Sequence, residues 1–154
     1  MALNGDTVAM YTNSDEQLHI YGVEAMLKWA LPWTVGFGNF TYTYVKEEEH
    51  RYDYPVYMAN LSLTAIPTMG LSITTNFRYV GERKRRDDNA REPVGDYLVC
   101  DVVLSVISGS FFGECGVYNV FDVDYYNADF KDADNCDIKG EGRTLLLNVG
   151  YKLW

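Results

Sequence analysis

One feature constrains this chain more than any other: apolar residues recur at every second position in segment after segment. In the last segment, Gly142 to Trp154, Leu145, Leu147, Val149, Tyr151 and Leu153 share one parity. Asn148, Gly150 and Lys152 share the other. Successive side chains of an extended strand point to opposite faces, so such a segment has one apolar face and one mixed face. Gln17 to Leu31 repeats the pattern, with Tyr21, Val23, Ala25, Leu27, Trp29 and Leu31 against Gly22, Glu24, Met26 and Lys28. Pro55 to Ile66 places Tyr57, Ala59, Leu61, Leu63 and Ala65 opposite Asn60, Ser62 and Thr64. The stretches from Leu71 to Tyr79, Asp96 to Ile107 and Phe111 to Phe121 alternate in the same way. Trp33 to Lys46 breaks the rule: Trp33, Val35 and Phe37 share one parity, while Phe40, Tyr42 and Tyr44 share the other. A β-bulge near Gly36 or Gly38 is expected to reconcile the halves.

The connections alternate too. Turns at Pro32, at Pro67 to Gly70 and at Ser108 to Ser110 are short, whereas Glu47 to Tyr54, Gly81 to Pro93 and Asp122 to Glu141 are long and charged. Adding Asp6 to Thr12 as a first strand gives about eight antiparallel strands, each near the length a tilted membrane strand needs. Aromatics fall in two bands. Trp29, Trp33, Phe111, Tyr151 and Trp154 lie toward the tight turns, and Tyr42, Tyr44, Tyr57, Tyr79 and Phe121 toward the long loops. The fold class expected is all-β, an antiparallel up-and-down transmembrane β-barrel segment, with short turns on one side of the membrane and long loops on the other. A soluble sandwich has no reason to sort its long loops to one edge.

Composition excludes other classes. No apolar run approaches the roughly 20 residues of a membrane helix. A formal net charge of −9 argues against nucleic acid as a partner. Cys100, Cys115 and Cys136 are odd in number and share no metal-binding spacing. The histidines, His19 and His50, accompany no nucleophile motif, so no catalytic residue and no cofactor is expected, and the chain is not read as an enzyme. Asp129, Asp132, Asp134 and Asp137 approach calcium-loop spacing, but Cys136 takes a ligand position and Gly140 comes too late, so no metal is assigned. Met1 to Asp6 has neither the basic nor the apolar part of a secretory signal, which points to missing upstream sequence.

Five short segments carry a resemblance. Ile20-Tyr21-Gly22-Val23-Glu24, Phe40-Thr41-Tyr42-Thr43-Tyr44, Tyr79-Val80-Gly81-Glu82-Arg83, Asn119-Val120-Phe121-Asp122 and the closing Gly142-Arg143 with Tyr151 and Leu153 occur in order. Together they resemble the C-terminal barrel of TonB-dependent outer-membrane receptors. Val120 stands where that family has Leu, and Leu153 with Trp154 where it ends on Phe. The resemblance implies that residues 1–154 are the C-terminal part of a barrel of about 22 strands, with the plug domain absent. It further implies a bacterial outer-membrane location and partners in membrane lipid, the rest of the barrel and plug, the TonB complex, and a scarce solute such as a ferric siderophore. The alternative is a complete eight-stranded barrel with a structural or surface-binding role. A ladder between Val8–Tyr11 and Leu145–Val149 would mark that alternative.

For ligand capture the candidates are Arg83, Arg85 and Arg86 in the second long loop, with Arg78 and Asp101 on the mixed face. The loop arginines, with Lys84 and Arg91, offer charge-assisted contacts to an anionic chelate, although Asp87 and Asp88 offset them. Glu24, Lys28, Asn60, Asn76 and Glu114 are expected to share the lumen wall with Arg78 and Asp101. Leu145, Leu147, Val149, Tyr151, Leu153 and Trp154 are expected to form the barrel-closing terminal strand.

Overall fold

Alternation becomes one continuous sheet in the computed structural model, which describes residues 19–46, 54–84, 92–127 and 137–153. The strands are β1 (Ile20–Leu31), β2 (Thr34–Val45), β3 (Tyr57–Thr68), β4 (Leu71–Val80), β5 (Tyr97–Ser108), β6 (Phe111–Tyr118), β7 (Tyr126–Asn127), β8 (Ile138–Lys139) and β9 (Thr144–Tyr151). Seven of them form an antiparallel sheet in the order β1-β2-β3-β4-β5-β6-β9, and β7 pairs with β8 in a separate hairpin. Every neighbour in the large sheet is the next strand in sequence except across that hairpin, the meander of an up-and-down barrel wall. Among the described residues the sheet is open, with β1 and β9 at its edges.

Register sorts the side chains. Leu31, Thr34, Ala65, Ile73, Leu104, Cys115 and Leu147 pair in one row across all seven strands. The adjacent row on the other face reads Ala30, Val35, Thr64, Thr74, Val103, Gly116 and Leu146. All seven polar residues expected on the lumen wall share this second face. The first face is predominantly apolar and largely uncovered: Leu145 is 74% and Leu147 73% exposed. Burying a Leu side chain is worth about 1.5–3 kcal/mol, so a face this long and bare suits lipid and not water. Tyr21 with Tyr44, and Tyr57 with both Phe40 and Tyr42, form aromatic contacts at its loop end with ring centroids 5.3–6.5 Å apart.

Four expectations change. β2 has no bulge: its pairing with β1 and β3 is unbroken from Thr34. The apolar face of β2 runs Thr34, Gly36, Gly38, Phe40, Tyr42, Tyr44, and the Trp29 ring lies where a Cβ of Gly36 would be. A neighbouring strand supplies the bulk that the two glycines lack. Pro67 belongs to β3, where the register shifts between Ala65 and Thr68, and the turn is Met69-Gly70 alone. Proline cannot donate to a ladder, and an irregularity is where a strand tolerates it. β6 ends at Tyr118, short of Phe121, and the long loop after it contains the β7–β8 hairpin. The first strand expected at Asp6 to Thr12, His50, Arg85, Arg86, Asp87, Asp88, Arg91, Asp129, Asp132, Asp134, Cys136 and Trp154 lie outside the described residues.

Buried residues concentrate at the loop end of the sheet. Among the described residues Val45, Val94, Tyr97, Val99 and Cys100 are the buried hydrophobic side chains, and Arg83 and Asn119 the buried polar ones. The small core therefore sits where loops fold back on the wall.

Candidate functional site

Asn119 organises the lumen side of that end. It adopts a positive φ of 49°, and Asp122 follows at 54°. Asn and Asp tolerate this region because their short polar chains bond locally. The Asn119 N–H donates to Asp101 Oδ1 at 2.8 Å. Val120 N–H then reaches Cys100 C=O at 2.8 Å, one residue out of the register that pairs Val117 with Val102. The Asn119 amide donates to Val123 O at 2.9 Å and Glu141 O at 3.1 Å, and its oxygen accepts from Val123 N at 2.9 Å. Asp122 Oδ1 accepts from Arg143 N at 2.8 Å. Asn119 and Asp122 thus clasp both ends of the excursion between β6 and β9, which gives the Asn-Val-Phe-Asp segment a structural job.

A stack of four side chains holds the excursion to the wall. The Arg78 guanidinium lies 5.7 Å from the Tyr125 ring centroid and donates to its hydroxyl at 3.4 Å. Tyr125 meets Tyr97 at 4.7 Å between centroids, and Arg83 lies 5.5 Å from the Tyr97 centroid. Arg83 Nη2 also donates to Tyr126 O at 2.7 Å. Cation, ring, ring and cation alternate, each contact worth about 0.5–2 kcal/mol. Arg83 is positioned by a bridge with Val94, N–H to O at 3.0 Å in both directions. In the hairpin beyond, Lys139 Nζ pairs with Asp124 at 2.7 Å, and that hydrogen bond and charge raise the Lys139 pKa above its ordinary value.

Beneath Tyr125 lies a cavity of about 290 Å³. Val99 and Leu146 give it apolar surface, and Tyr118 and Tyr125 give it rings. Arg78, Asp101, Glu141 and Thr144 give it polar groups. Arg78 and Asp101, picked out from the sequence, therefore meet at one cavity. Arg83 does not join them. It is 5% exposed, and the expectation of a solvated cationic loop fails at this residue because Tyr97 and Tyr126 cover it. Leu145, Leu147, Val149 and Tyr151 lie on the apolar face of β9, and Leu153 follows it, exposed. Tyr97, Tyr118, Asn119, Tyr125 and Glu141 were not picked out as site residues. In the sequence Asn119 is marked only by the Asn-Val-Phe-Asp motif, and no local spacing signals the others.

The chain matches the family model described as TonB dependent receptor-like, beta-barrel, over residues 2–120. No curated protein matches it. Among solved structures it is similar to the ferric-catecholate import receptor Fiu of E. coli K12. The open form gives a TM-score of 0.74 at 23% identity, covering 86% of this chain and 20% of that one. The closed form gives 0.72 at 22% identity, with the same coverage. The FpvAI–pyocin S2 complex gives 0.73 at 20% identity, covering 86% of this chain and 19% of that one. The chain thus spans about one fifth of the length of the structures it matches, and at these identities the likeness shows the fold. With the family model matching residues 2–120, the chain belongs to the TonB-dependent receptor-like β-barrel family.

Proposed function

We propose that the chain is the C-terminal part of the barrel of an outer-membrane receptor that imports a scarce solute, such as a ferric siderophore, in a TonB-dependent manner. The carrying observation is the two-faced sheet: an apolar face for lipid runs unbroken across seven strands, and a polar face for a lumen backs it. Import through Fiu, described as a ferric-catecholate receptor, makes a metal chelate the first solute to test. In this reading the loops and lumen wall capture the solute, and plug rearrangement driven through TonB admits it. The plug and its TonB contact would be supplied by sequence outside these residues. No step involves covalent chemistry, so the protein acts as a receptor and not as an enzyme. The test is uptake of radio-iron from a panel of siderophores by cells carrying the receptor, with and without TonB. Uptake that requires both receptor and TonB is expected. Uptake of none of the panel, or uptake indifferent to TonB, overturns the reading.

A further inference from the structure

We propose that the outward wall of β1 and β2 binds one lipid with an anionic phosphate headgroup. Its phosphate meets His19 and Lys46, and the end of one acyl chain fills a notch at Gly38. The inference concerns the lipid side of the sheet and holds whichever solute crosses the lumen side. Register builds the site. Lys46 N–H donates to His19 O at 3.0 Å, which extends the β1–β2 ladder by one pair and sets these two residues opposite each other. Parity puts both on the apolar face, directly beyond the Tyr21–Tyr44 pair, whose ring centroids lie 6.5 Å apart. Below them follow Val23 with Tyr42, Ala25 with Phe40, and Leu27 with Gly38. A cationic level, a tyrosine level and an apolar trough thus succeed one another along one pair of strands. A lipid presents phosphate, ester groups and hydrocarbon in that order.

The two glycines of β2 on this face differ. Trp29 takes the space above Gly36, whereas a Cβ at Gly38 would meet Leu61 Cδ1 at 3.5 Å and Asn60 O at 3.7 Å, both ordinary contacts. Ala25, Leu27, Gly38 and Phe40 border a cavity of about 310 Å³ there, and Leu27 is 65% exposed. Depth fits an acyl chain. From Gly38 to Tyr44 the strand rises about 20 Å. At a tilt of about 40° that is about 15 Å of depth, half of a hydrocarbon core of roughly 30 Å. The notch therefore lies where the chains of the loop-side leaflet end. Charge selects the lipid, because a lysine ammonium is a point charge suited to phosphate. At the loop end of β4 and β5 the same face carries an acid instead, Asp96, which accepts from the Tyr79 hydroxyl at 3.2 Å. Glu47, Glu48 and Glu49 follow Lys46 in the sequence, and the test separates their contribution.

The full receptor is reconstituted in phosphatidylcholine vesicles, and part of the lipid is replaced by phosphatidylglycerol or phosphatidylcholine brominated near the chain ends. Bromine quenches tryptophan on contact, and the Trp29 signal is the difference from Trp29→Phe. Brominated phosphatidylglycerol is expected to half-quench Trp29 at about one fifth of the mole fraction that brominated phosphatidylcholine needs, the preference that one lysine near a membrane surface confers. Lys46→Glu should erase the preference. Gly38→Leu, in a protein that keeps its heat-modifiable mobility, should bring quenching by phosphatidylglycerol down to the phosphatidylcholine level, and Asp96→Asn should leave the preference unchanged. Equal quenching by the two lipids, or a preference that survives Gly38→Leu, overturns the proposal. A preference that survives Lys46→Glu but vanishes when magnesium is chelated would place the phosphate on the glutamates and overturn the role of His19 and Lys46. Loss of the preference on adding inorganic phosphate would mark a site for the free anion and overturn the lipid as its occupant.

Discussion

The two ends of the same sheet are built on different principles. At the tight-turn end, β1 passes to β2 through Pro32-Trp33, β3 to β4 through Met69-Gly70, and β5 to β6 through Gly109-Ser110. Each turn is specified by its own residues: Gly70 has φ 81° and Gly109 φ 58°, values that glycine adopts without strain. At the loop end, order comes from side chains that reach across the sequence. Asn119 contacts Glu141, Arg83 contacts Tyr126, and Arg78 contacts Tyr125. One end is set by its turn residues and by backbone bonds between neighbouring turns, such as Ile107 N–H to Gly70 O at 2.7 Å. The other is a network whose parts depend on one another, and it encloses the cavity lined by Arg78 and Asp101.

The comparison predicts unequal responses to substitution. The largest effect is expected for Asn119→Ala, which removes three hydrogen bonds at a buried position and leaves their partners unpaired. At about 1 kcal/mol each the loss is about 3 kcal/mol, read as a lower urea midpoint of heat-modifiable mobility. Amide exchange should rise from Val120 to Arg143 and stay unchanged at the tight turns; a uniform rise would erase the distinction between the ends. Gly70→Ala comes next. It forces a Cβ into a left-handed backbone and against the Ile107 carbonyl, a cost of about 2 kcal/mol. Its effect should be confined to the β3–β4 and β5–β6 turns, and a change in protease cutting at the β7–β8 hairpin would contradict that independence.

Arg83→Gln sharpens the picture at the loop end. It removes the guanidinium bond to Tyr126 O and the contact with Tyr97, about 1.5 kcal/mol. Limited proteolysis between Val123 and Glu141 should accelerate about tenfold while the global midpoint moves little. An unchanged cleavage rate would mean that Arg83 does not hold the hairpin. The smallest effect concerns pH. The Lys139 pKa is raised by its hydrogen bond to Asp124 and then by that charge. A cation stabilised on folding contributes fully below its unfolded pKa and loses that contribution as pH rises through the folded value. Hairpin protection should therefore be flat around neutrality and fall only in the alkaline range where lysine deprotonates. In Lys139→Met that fall should vanish, and its persistence would assign it to another group.

The same contrast explains what could be read in advance. Which face each strand turns to lipid follows from parity alone, and Glu24, Lys28, Asn60, Asn76, Arg78, Asp101 and Glu114 all lie where parity puts them. Parity misled only in β2, because glycine carries no apolar signal and Trp29 covers Gly36 from another strand. Asn119 stood out as part of a motif, but its role needs Asp101, Val123 and Glu141 brought together by folding. Arg83 reads as one of several loop cations, and nothing near it in sequence announces that Tyr97 and Tyr126 will cover it. Local period is visible in a sequence; contacts between distant loops are not.

The seating of rings over glycines bears on how such a wall assembles. A strand that slips by one residue sends its apolar side chains to the wrong face and is rejected at once. A slip by two keeps lipid and lumen faces sorted, so alternation cannot detect it. Phe112 of β6 lies over Gly150 of β9, in the space a Cβ would take. Moving β9 by two positions would bring Asn148 or Lys152 under that ring, and neither leaves room for it. The notch at Gly150 thus acts as a key that admits the last described strand in one register only, and Gly150→Val should yield a sheet that keeps its two faces while losing its unique alignment.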